Sequence, residues 1–201
     1  NVINKPSELK KITKNNLIVY NISAENDIIN TYNSIKTAYY LTKKKLCGSI
    51  ITLPLNKEKI IKKIDKSFKG HTELLEKLDN KKFSNMVFYS KKIIVTTLTT
   101  HIPINKINLF LKKENIIYRK ITSLNKMLIT DFNIKNPKII ISGLNPHAGE
   151  NGKIGNEEKK YINPIIKKLQ INNINIKGPF SADTIFNKIN ISKFDCFVCI
   201  Y

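Results

Sequence analysis

The 201-residue sequence has few of the residue types from which functional sites are commonly built. It contains a single arginine, Arg119, and three each of histidine and cysteine. No apolar run approaches the roughly 18 residues of a membrane-spanning helix. No charged start followed by an apolar stretch and a small-residue cleavage site opens the chain, as it would in a signal peptide. With 41% hydrophobic residues, the composition predicts a globular, soluble protein with no membrane partner.

The cysteines predict buried thiols in a reducing compartment. Cys196 and Cys199 have the C-x-x-C spacing of redox motifs and zinc knuckles, but they lie in an apolar run, F-D-C-F-V-C-I-Y. Cys47 is the third cysteine, so there is no second pair to complete a zinc site. Two strand thiols explain the pattern better than a metal or redox site. We therefore expect a cytoplasmic protein.

The formal charge of +20 is the feature that most favours a different function, a basic nucleic-acid-binding module. Nucleic-acid surfaces usually exploit the planar guanidinium of arginine, of which this chain has one. The lysines are also spread along the chain, and lysine, asparagine and isoleucine dominate together, which is typical of an A/T-rich coding bias. We interpret the charge as solvated faces that also attract anionic, phosphorylated substrates, and we expect no nucleic-acid partner.

Hydrophobic periodicity predicts an α/β fold. Residues 16–22 and 47–53 read as strands, and residues 27–45 between them read as a helix, an order that implies parallel pairing. Lys57 follows the second strand at its carboxyl end, where open α/β sheets place their sites. The remaining predictions are a short helix near 59–64, strands at 85–89, 91–98, 139–142 and 194–201, and helices at 105–115, 122–132 and 156–170. Pro164 indicates a kink or a late start in the last helix.

The loop from Ser142 to Glu158, S-G-L-N-P-H-A-G-E-N-G-K-I-G-N-E-E, is the most unusual segment. It follows the apolar run 137–141 and contains four glycines, which permit a close approach of the backbone. His147 lies within it, and His101 lies just past the strand predicted at 91–98. If these two strands are parallel, their carboxyl ends bring the two imidazoles to one edge of the sheet, where they suit a divalent metal such as zinc.

Two further segments suit binding or catalysis. In G-H-T-E, Gly70 to Glu73, the histidine and threonine stand at a predicted helix start, where backbone amides can hold a phosphate. In G-P-F-S-A-D-T-I-F, Gly178 to Phe186, Asp183 lies in a predicted loop before the last strand. No G-x-G-x-x-G follows a strand, so a standard Rossmann dinucleotide site is not predicted.

The loop L-N-P-H-A-G-E-x-G-x-x-G-x-E-E resembles the signature of the 4-hydroxythreonine-4-phosphate dehydrogenase family, the NAD-dependent enzymes of pyridoxal phosphate synthesis. Four other segments resemble family segments in the same order, so the resemblance covers roughly residues 47 to 201. They are T-L-P-L-N-K (52–57), G-H-T-E (70–73), T-H-I-P-I (100–104) and G-P-F-S-A-D-T-I-F (178–186).

The resemblance implies a metal-dependent oxidoreductase. It oxidises 4-phosphohydroxy-L-threonine, with NAD or NADP as the hydride acceptor, and decarboxylates the product. The resemblance also implies an α/β fold with a mostly parallel sheet and helices on both faces, similar to isocitrate and isopropylmalate dehydrogenases. His101 and His147 match two of the family's three metal-ligand histidines, and zinc is the expected metal, with magnesium or cobalt as alternatives. His71 and Thr72 match substrate-binding residues, and we expect Asp183 and Lys57 to serve in catalysis. The residues that bind the nicotinamide cofactor are not predicted.

The resemblance also implies segments that this sequence does not contain. The family's glycine-rich D-P-A-G-I-G-P-E segment is absent, and the third metal histidine would follow Tyr201. We therefore expect these 201 residues to be an interior part of a larger two-domain enzyme, with an internal boundary that the sequence does not define. The missing carboxyl part would carry the third metal ligand and much of the cofactor-binding surface, so we expect the isolated portion to be inactive. The family site is built between the subunits of a homodimer. A related dehydrogenase of another four-carbon phosphorylated hydroxy acid, such as phosphothreonate, and an inactive remnant remain the alternatives.

Overall fold

A computed structural model describes residues 2–11, 18–22 and 26–201. The chain divides into two compact units, unit 1 over residues 1–84 and unit 2 over residues 85–201. No helix in the described part of the chain is long and apolar enough to cross a membrane.

Unit 1 is mainly helical in its described residues. Its elements are β1 (Val2–Ile3), a 3₁₀ turn (Pro6–Lys11), β2 (Val19–Tyr20), α1 (Asp27–Lys43), α2 (Lys57–Lys63) and α3 (His71–Leu78). The strands β1 and β2 pair in parallel. Helix α1 begins where the side chain of Asn26 accepts hydrogen bonds from two backbone amides of the first turn. Buried Ile35, Ile60, Phe68 and Leu74 hold the three helices together.

The predicted helix at 27–45 is therefore confirmed, and the strand predicted at 16–22 is confirmed at Val19–Tyr20, while residues 16–17 lie outside the described residues. The strand predicted at 47–53 is wrong. Ile51 is 91% exposed and Leu53 80% exposed, and no strand forms there. A strand needs a partner, and the sheet in the described part of unit 1 consists of β1 and β2. Lys57 consequently begins α2 rather than following a strand.

Unit 2 is built on a five-stranded sheet. The strands are β3 (Met86–Ser90), β4 (Ile93–Thr97), β5 (Ile139–Ser142), β6 (Ile176–Phe180) and β7 (Cys196–Cys199), and their order in the sheet is β3-β4-β7-β5-β6. The pairs β4–β7, β7–β5 and β5–β6 are parallel, and the hairpin β3–β4 is antiparallel. The helices are α4 (Ile107–Leu111), α5 (Glu114–Thr130), α6 (Asn163–Ile171) and α7 (Lys188–Lys193). The predicted α/β fold with a mostly parallel sheet is confirmed.

Alternating side chains of the sheet enter two cores. Ile139 and Ile141 face the larger core, to which α4, α5 and α6 contribute, whereas Ile140 faces a smaller one containing Ile185 and Phe197. All four residues of β5 are buried, because a parallel strand in the middle of a sheet is covered on both faces. This covering leaves the carboxyl ends of β4, β5 and β7 as the accessible edge of the sheet.

The structure adds two local features that the sequence did not define. Strand β6 was not predicted, because Gly178 and Pro179 within it are typical of loops; the peptide bond between them is cis. The helix predicted at 156–170 begins with a π-helical turn, Glu158–Ile162, and continues as α6 with Pro164 in its first turn. Helical backbone continues from the π-helical turn into α6, so the irregularity expected at Pro164 takes the form of this wider turn just before the proline and not of a late start.

Candidate active site

A cleft of about 360 Å³ lies at the carboxyl edge of the unit 2 sheet. Its walls come from the segments that follow β5, β6 and β7. The lining residues are Leu144, Asn145, Pro146, His147, Ser181, Ala182, Asp183 and Tyr201. His147 and Asp183 were both predicted as site residues, and they come from loops that are far apart in the sequence. The parallel pairing of β5 with β6 and β7 places these loops side by side.

His147 and Asp183 face each other across this cleft. The imidazole Nδ1 lies 4.0 Å from the Asp183 carboxylate Oδ2, and the two side chains are 60% and 61% exposed. The Ser181 hydroxyl donates to Oδ1 of the same carboxylate. This hydrogen bond, reinforced by the nearby imidazole, lowers the pKa of Asp183 below its ordinary value. An ionised carboxylate facing Nδ1 favours a proton on that nitrogen and leaves Nε2 as a ligand atom.

His101 lies at the same edge of the sheet but is not one of the residues that line the cleft with His147 and Asp183. It follows the extension of β4, in which the Thr99 amide and hydroxyl both donate to the Ile200 carbonyl. Its side chain is exposed and its φ is +54°. Within residues 2–11, 18–22 and 26–201, no group of three or more His, Cys, Asp or Glu side chains is arranged to hold a metal ion. The described residues thus offer separate imidazoles rather than a complete set of ligands.

The other predicted site residues, Lys57, His71 and Thr72, lie together in unit 1. Helix α3 begins at His71 after Gly70, and among the described residues no side chain caps its first amides. A β-carbon built on Gly70 would lie 3.4 Å from Lys57 Nζ and 3.2 Å from Glu73 Oε2, so both charged groups border the start of the helix. An ammonium group and free helix amides suit a phosphate. His71 also lines a groove of about 450 Å³.

Glu158 is a site residue that the sequence interpretation missed. Glu158 is 3% exposed, and its side chain is bonded to the loop after β5. Its Oε1 accepts from the backbone amides of Leu144 and Asn145, both at 2.8 Å. Two consecutive glutamates closing a glycine-rich loop were the available signal, because buried loop amides need acceptors.

The cysteines behave as predicted for strand thiols. Cys196 and Cys199 are three residues apart in β7, so their side chains point to opposite faces of the sheet and cannot share a metal ion or a disulfide. Burial raises the pKa of Cys196 to about 12 and also raises the pKa of Cys199. All three cysteines are free thiols.

Comparisons with known proteins agree with the resemblance found in the five segments. A family model described as "Pyridoxal phosphate biosynthetic protein PdxA" matches residues 4–201. The 4-hydroxythreonine-4-phosphate dehydrogenase of Sulfurihydrogenibium sp. (strain YO3AOP1) is 40% identical over 158 residues, 79% of this chain and 48% of that protein. The D-threonate 4-phosphate dehydrogenase of Pectobacterium atrosepticum is 32% identical over 170 residues, 85% of this chain and 51% of that protein.

Among solved structures, a 4-hydroxythreonine-4-phosphate dehydrogenase from Burkholderia phymatum superposes with a TM-score of 0.82 and 29% identity, covering 100% of this chain and 64% of that one. The enzyme of the same name from Klebsiella pneumoniae gives a TM-score of 0.79 at 31% identity, covering 85% of this chain and 51% of that one. The chain spans about half the length of the curated relatives it matches. With a family match over nearly all of its residues, the chain belongs to the pyridoxal phosphate biosynthetic protein PdxA family.

Proposed function

We propose that this protein is an NAD- or NADP-dependent dehydrogenase that oxidises 4-phosphohydroxy-L-threonine, with decarboxylation, in pyridoxal phosphate synthesis. The observation that carries the proposal is the approach of His147 and Asp183, from two separate family segments, to 4.0 Å in one cleft. Membership of the family and the relatives named as 4-hydroxythreonine-4-phosphate dehydrogenases support the substrate.

The donor groups at the sheet edge fit a divalent metal. His147 and His101 have exposed imidazoles, and the carboxylate facing Nδ1 of His147 leaves its other nitrogen available. We assign these two histidines as metal ligands, with zinc preferred over magnesium or cobalt because imidazole suits zinc. A cation held there supplies Lewis-acid polarisation of a substrate oxygen. We propose that Asp183 orients the His147 ring; its carboxylate is ionised at neutral pH, and its lowered pKa makes it a weak proton acceptor.

We propose that the start of α3, in unit 1, binds a phosphate group, with His71 and Thr72 as substrate-binding residues. His71 and Thr72 provide donors there, and the ammonium of Lys57 lies close to Gly70. Lys57 is also our second candidate for proton transfer. The net charge of +20 favours the approach of an anionic substrate without requiring a nucleic-acid partner.

The proposal includes the remaining family expectations. We place the active enzyme in the cytoplasm as a homodimer, with ligands from both subunits completing each metal site. No membrane or nucleic acid takes part in this function. The cofactor surface is not assigned to residues of this chain.

The test is a dehydrogenase assay on the protein isolated from its native source, following formation of the reduced nicotinamide. We expect NAD(P)-dependent turnover of 4-phosphohydroxy-L-threonine that is lost on metal removal and restored by zinc. Asp183→Asn should lower turnover about 10- to 100-fold, the usual effect of losing a group that orients a metal-bound imidazole. Asp131→Asn, an exposed aspartate at the end of α5, is the matched control. Absence of turnover from a metal-loaded protein would refute the proposal and leave an inactive remnant as the interpretation.

D-threonate 4-phosphate is the second candidate substrate. The 32% identical relative named for that compound covers as much of this chain as several relatives named for 4-hydroxythreonine-4-phosphate. Both substrates are phosphorylated four-carbon hydroxy acids and would use the same metal and phosphate groups. The ratio of kcat/KM for the two compounds decides between them.

A further inference from the structure

The turn that carries His147 has an unusual backbone. Five consecutive residues, His147 to Asn151, are left-handed, with φ angles of 51°, 50°, 79°, 41° and 57°. Gly149 is the one glycine among them, and the other four adopt a conformation that L-amino acids avoid. Such a turn persists when the surrounding structure fixes it, so the contacts that fix it also set the position of His147.

Glu158 makes those contacts on both sides of the histidine. Before His147, Oε1 accepts the amides of Leu144 and Asn145, and Oε2 accepts the Asn145 side-chain amide at 2.9 Å. After His147, the carboxylate packs against Gly149, where an added β-carbon would lie 2.7 Å from Oε2. A buried carboxylate with three donors forms strong charge-assisted hydrogen bonds. The Glu158 carboxylate therefore links the residues before His147 to those after it.

The position of Glu158 is in turn fixed by the fold. Glu158 opens the π-helical turn that leads into α6, and α6 packs Ile165, Ile166 and Leu169 into the core of unit 2. The Asn145 side chain also donates to Glu157 Oε2 at 2.8 Å, which links the loop to the same turn through a second carboxylate. The turn with His147 is thus attached to the core through these two side chains.

We infer that Glu158 is a positioning residue that holds the His147 imidazole in the geometry needed for metal binding. The inference rests on the proposed function, in which His147 is a ligand. Both the charge and the shape of Glu158 matter. In Glu158→Gln, the amide oxygen can still accept the two backbone amides, but its NH₂ group then faces the Asn145 Nδ2 donor. The turn must move to separate the two donors.

The three histidines make a direct test practical, because the imidazole Hε1 protons give three NMR resonances that single substitutions can assign. The 201-residue chain is compared with its Glu158→Gln variant at one pH, before and after addition of Co²⁺. We expect the His147 resonance to move in the variant while that of His71, in unit 1, stays in place. We also expect the affinity for Co²⁺ at His147 to fall about tenfold, the lower end of the effect of groups that orient ligands. Glu150→Gln removes an exposed carboxylate from the same loop and should leave both readouts unchanged.

A folded Glu158→Gln variant with the wild-type His147 resonance and Co²⁺ affinity would overturn the inference. Because the proposed site takes further ligands from a partner subunit, the metal-free resonance decides the role of Glu158 if Co²⁺ does not shift His147 in the wild-type chain. Should Glu158→Gln fail to fold, Asn145→Ala removes the side-chain bonds to both glutamates and keeps the two backbone contacts. It must then displace the His147 resonance, and an unmoved resonance would equally refute the positioning role.

Discussion

Gly149→Ala is the substitution that most directly tests the packing of the His147 turn. Gly149 is buried and has a φ of +79°. An added methyl group would lie 2.7 Å from Glu158 Oε2 and 2.7 Å from the Gly155 carbonyl oxygen. Both distances are shorter than van der Waals contact, and neither oxygen can withdraw freely. The carboxylate is fixed by its hydrogen bonds to Leu144 and Asn145.

The expected cost has two parts. A residue with a β-carbon in the left-handed region costs roughly 1–2 kcal/mol relative to glycine. Forcing a methyl group into a packed site costs about 1–3 kcal/mol. We therefore expect the free energy of unfolding of unit 2 to fall by about 3 kcal/mol, which corresponds to a population of open molecules roughly a hundredfold larger.

Cys196 provides a probe specific to unit 2, because it is fully buried and reacts when the sheet opens. We expect its labelling by a thiol reagent, measured by peptide mass spectrometry, to be about a hundredfold faster in Gly149→Ala. Gly48→Ala is the control for the added methyl group, since no atom of the described residues lies within 4 Å of a β-carbon at that position. Labelling of the Gly149→Ala variant within about threefold of wild type would refute the reasoning, because it would correspond to less than about 1 kcal/mol.

Two other predictions test the units separately. Leu128 is 0% exposed, so Leu128→Ala should lower the free energy of unfolding of unit 2, measured in urea, by about 2–5 kcal/mol. Ile51 is 91% exposed, so Ile51→Ala should change stability by less than about 0.5 kcal/mol. In unit 1, hydrogen bonds from the Lys43 ammonium and the Tyr39 hydroxyl lower the pKa of Asp79. Its folded-state pKa is depressed, so its stabilisation is present above the ordinary aspartate pKa and is lost as the pH falls through the lowered value. Asp79→Asn should therefore reduce the acid sensitivity of unit 1 in hydrogen exchange, and an unchanged pH profile would contradict this.

The sheet of unit 2 could be predicted because its strands carry their own pattern. The run I-I-I of β5 is apolar, as in a strand covered on both faces. Burial alternates along β4, as in a strand with two different faces. Helix α3 was likewise indicated by a glycine followed by apolar residues at helical spacing. In each case the deciding information lies within about ten residues of the element.

The failures depend on partners distant in the sequence. Residues 47–53 have the composition of a buried strand, but a strand forms through hydrogen bonds to another strand, which the described part of unit 1 does not offer it. The opposite error occurred at β6, where Gly178 and Pro179 predict a loop. That segment is paired with β5, and a β-carbon on Gly178 would lie 2.4 Å from the Ile141 carbonyl oxygen, so the close approach of β5 accounts for the glycine.

The candidate site, like the fold, could be predicted from the sequence only in part. His147 and Asp183 could be selected from the sequence because their segments resemble family motifs. Their approach was not predicted, because parallel strands were expected to bring His147 beside His101, and β6, the strand that precedes Asp183, was not predicted. The left-handed turn could not be predicted, since His147, Ala148, Glu150 and Asn151 have no intrinsic preference strong enough to produce it. Glu158, 13 and 14 residues from Asn145 and Leu144, accepts their backbone amides just before the turn and packs against Gly149 within it. A buried acceptor at the end of the loop thus stabilises a backbone geometry that the loop residues alone would avoid, and through that geometry it positions the imidazole of His147.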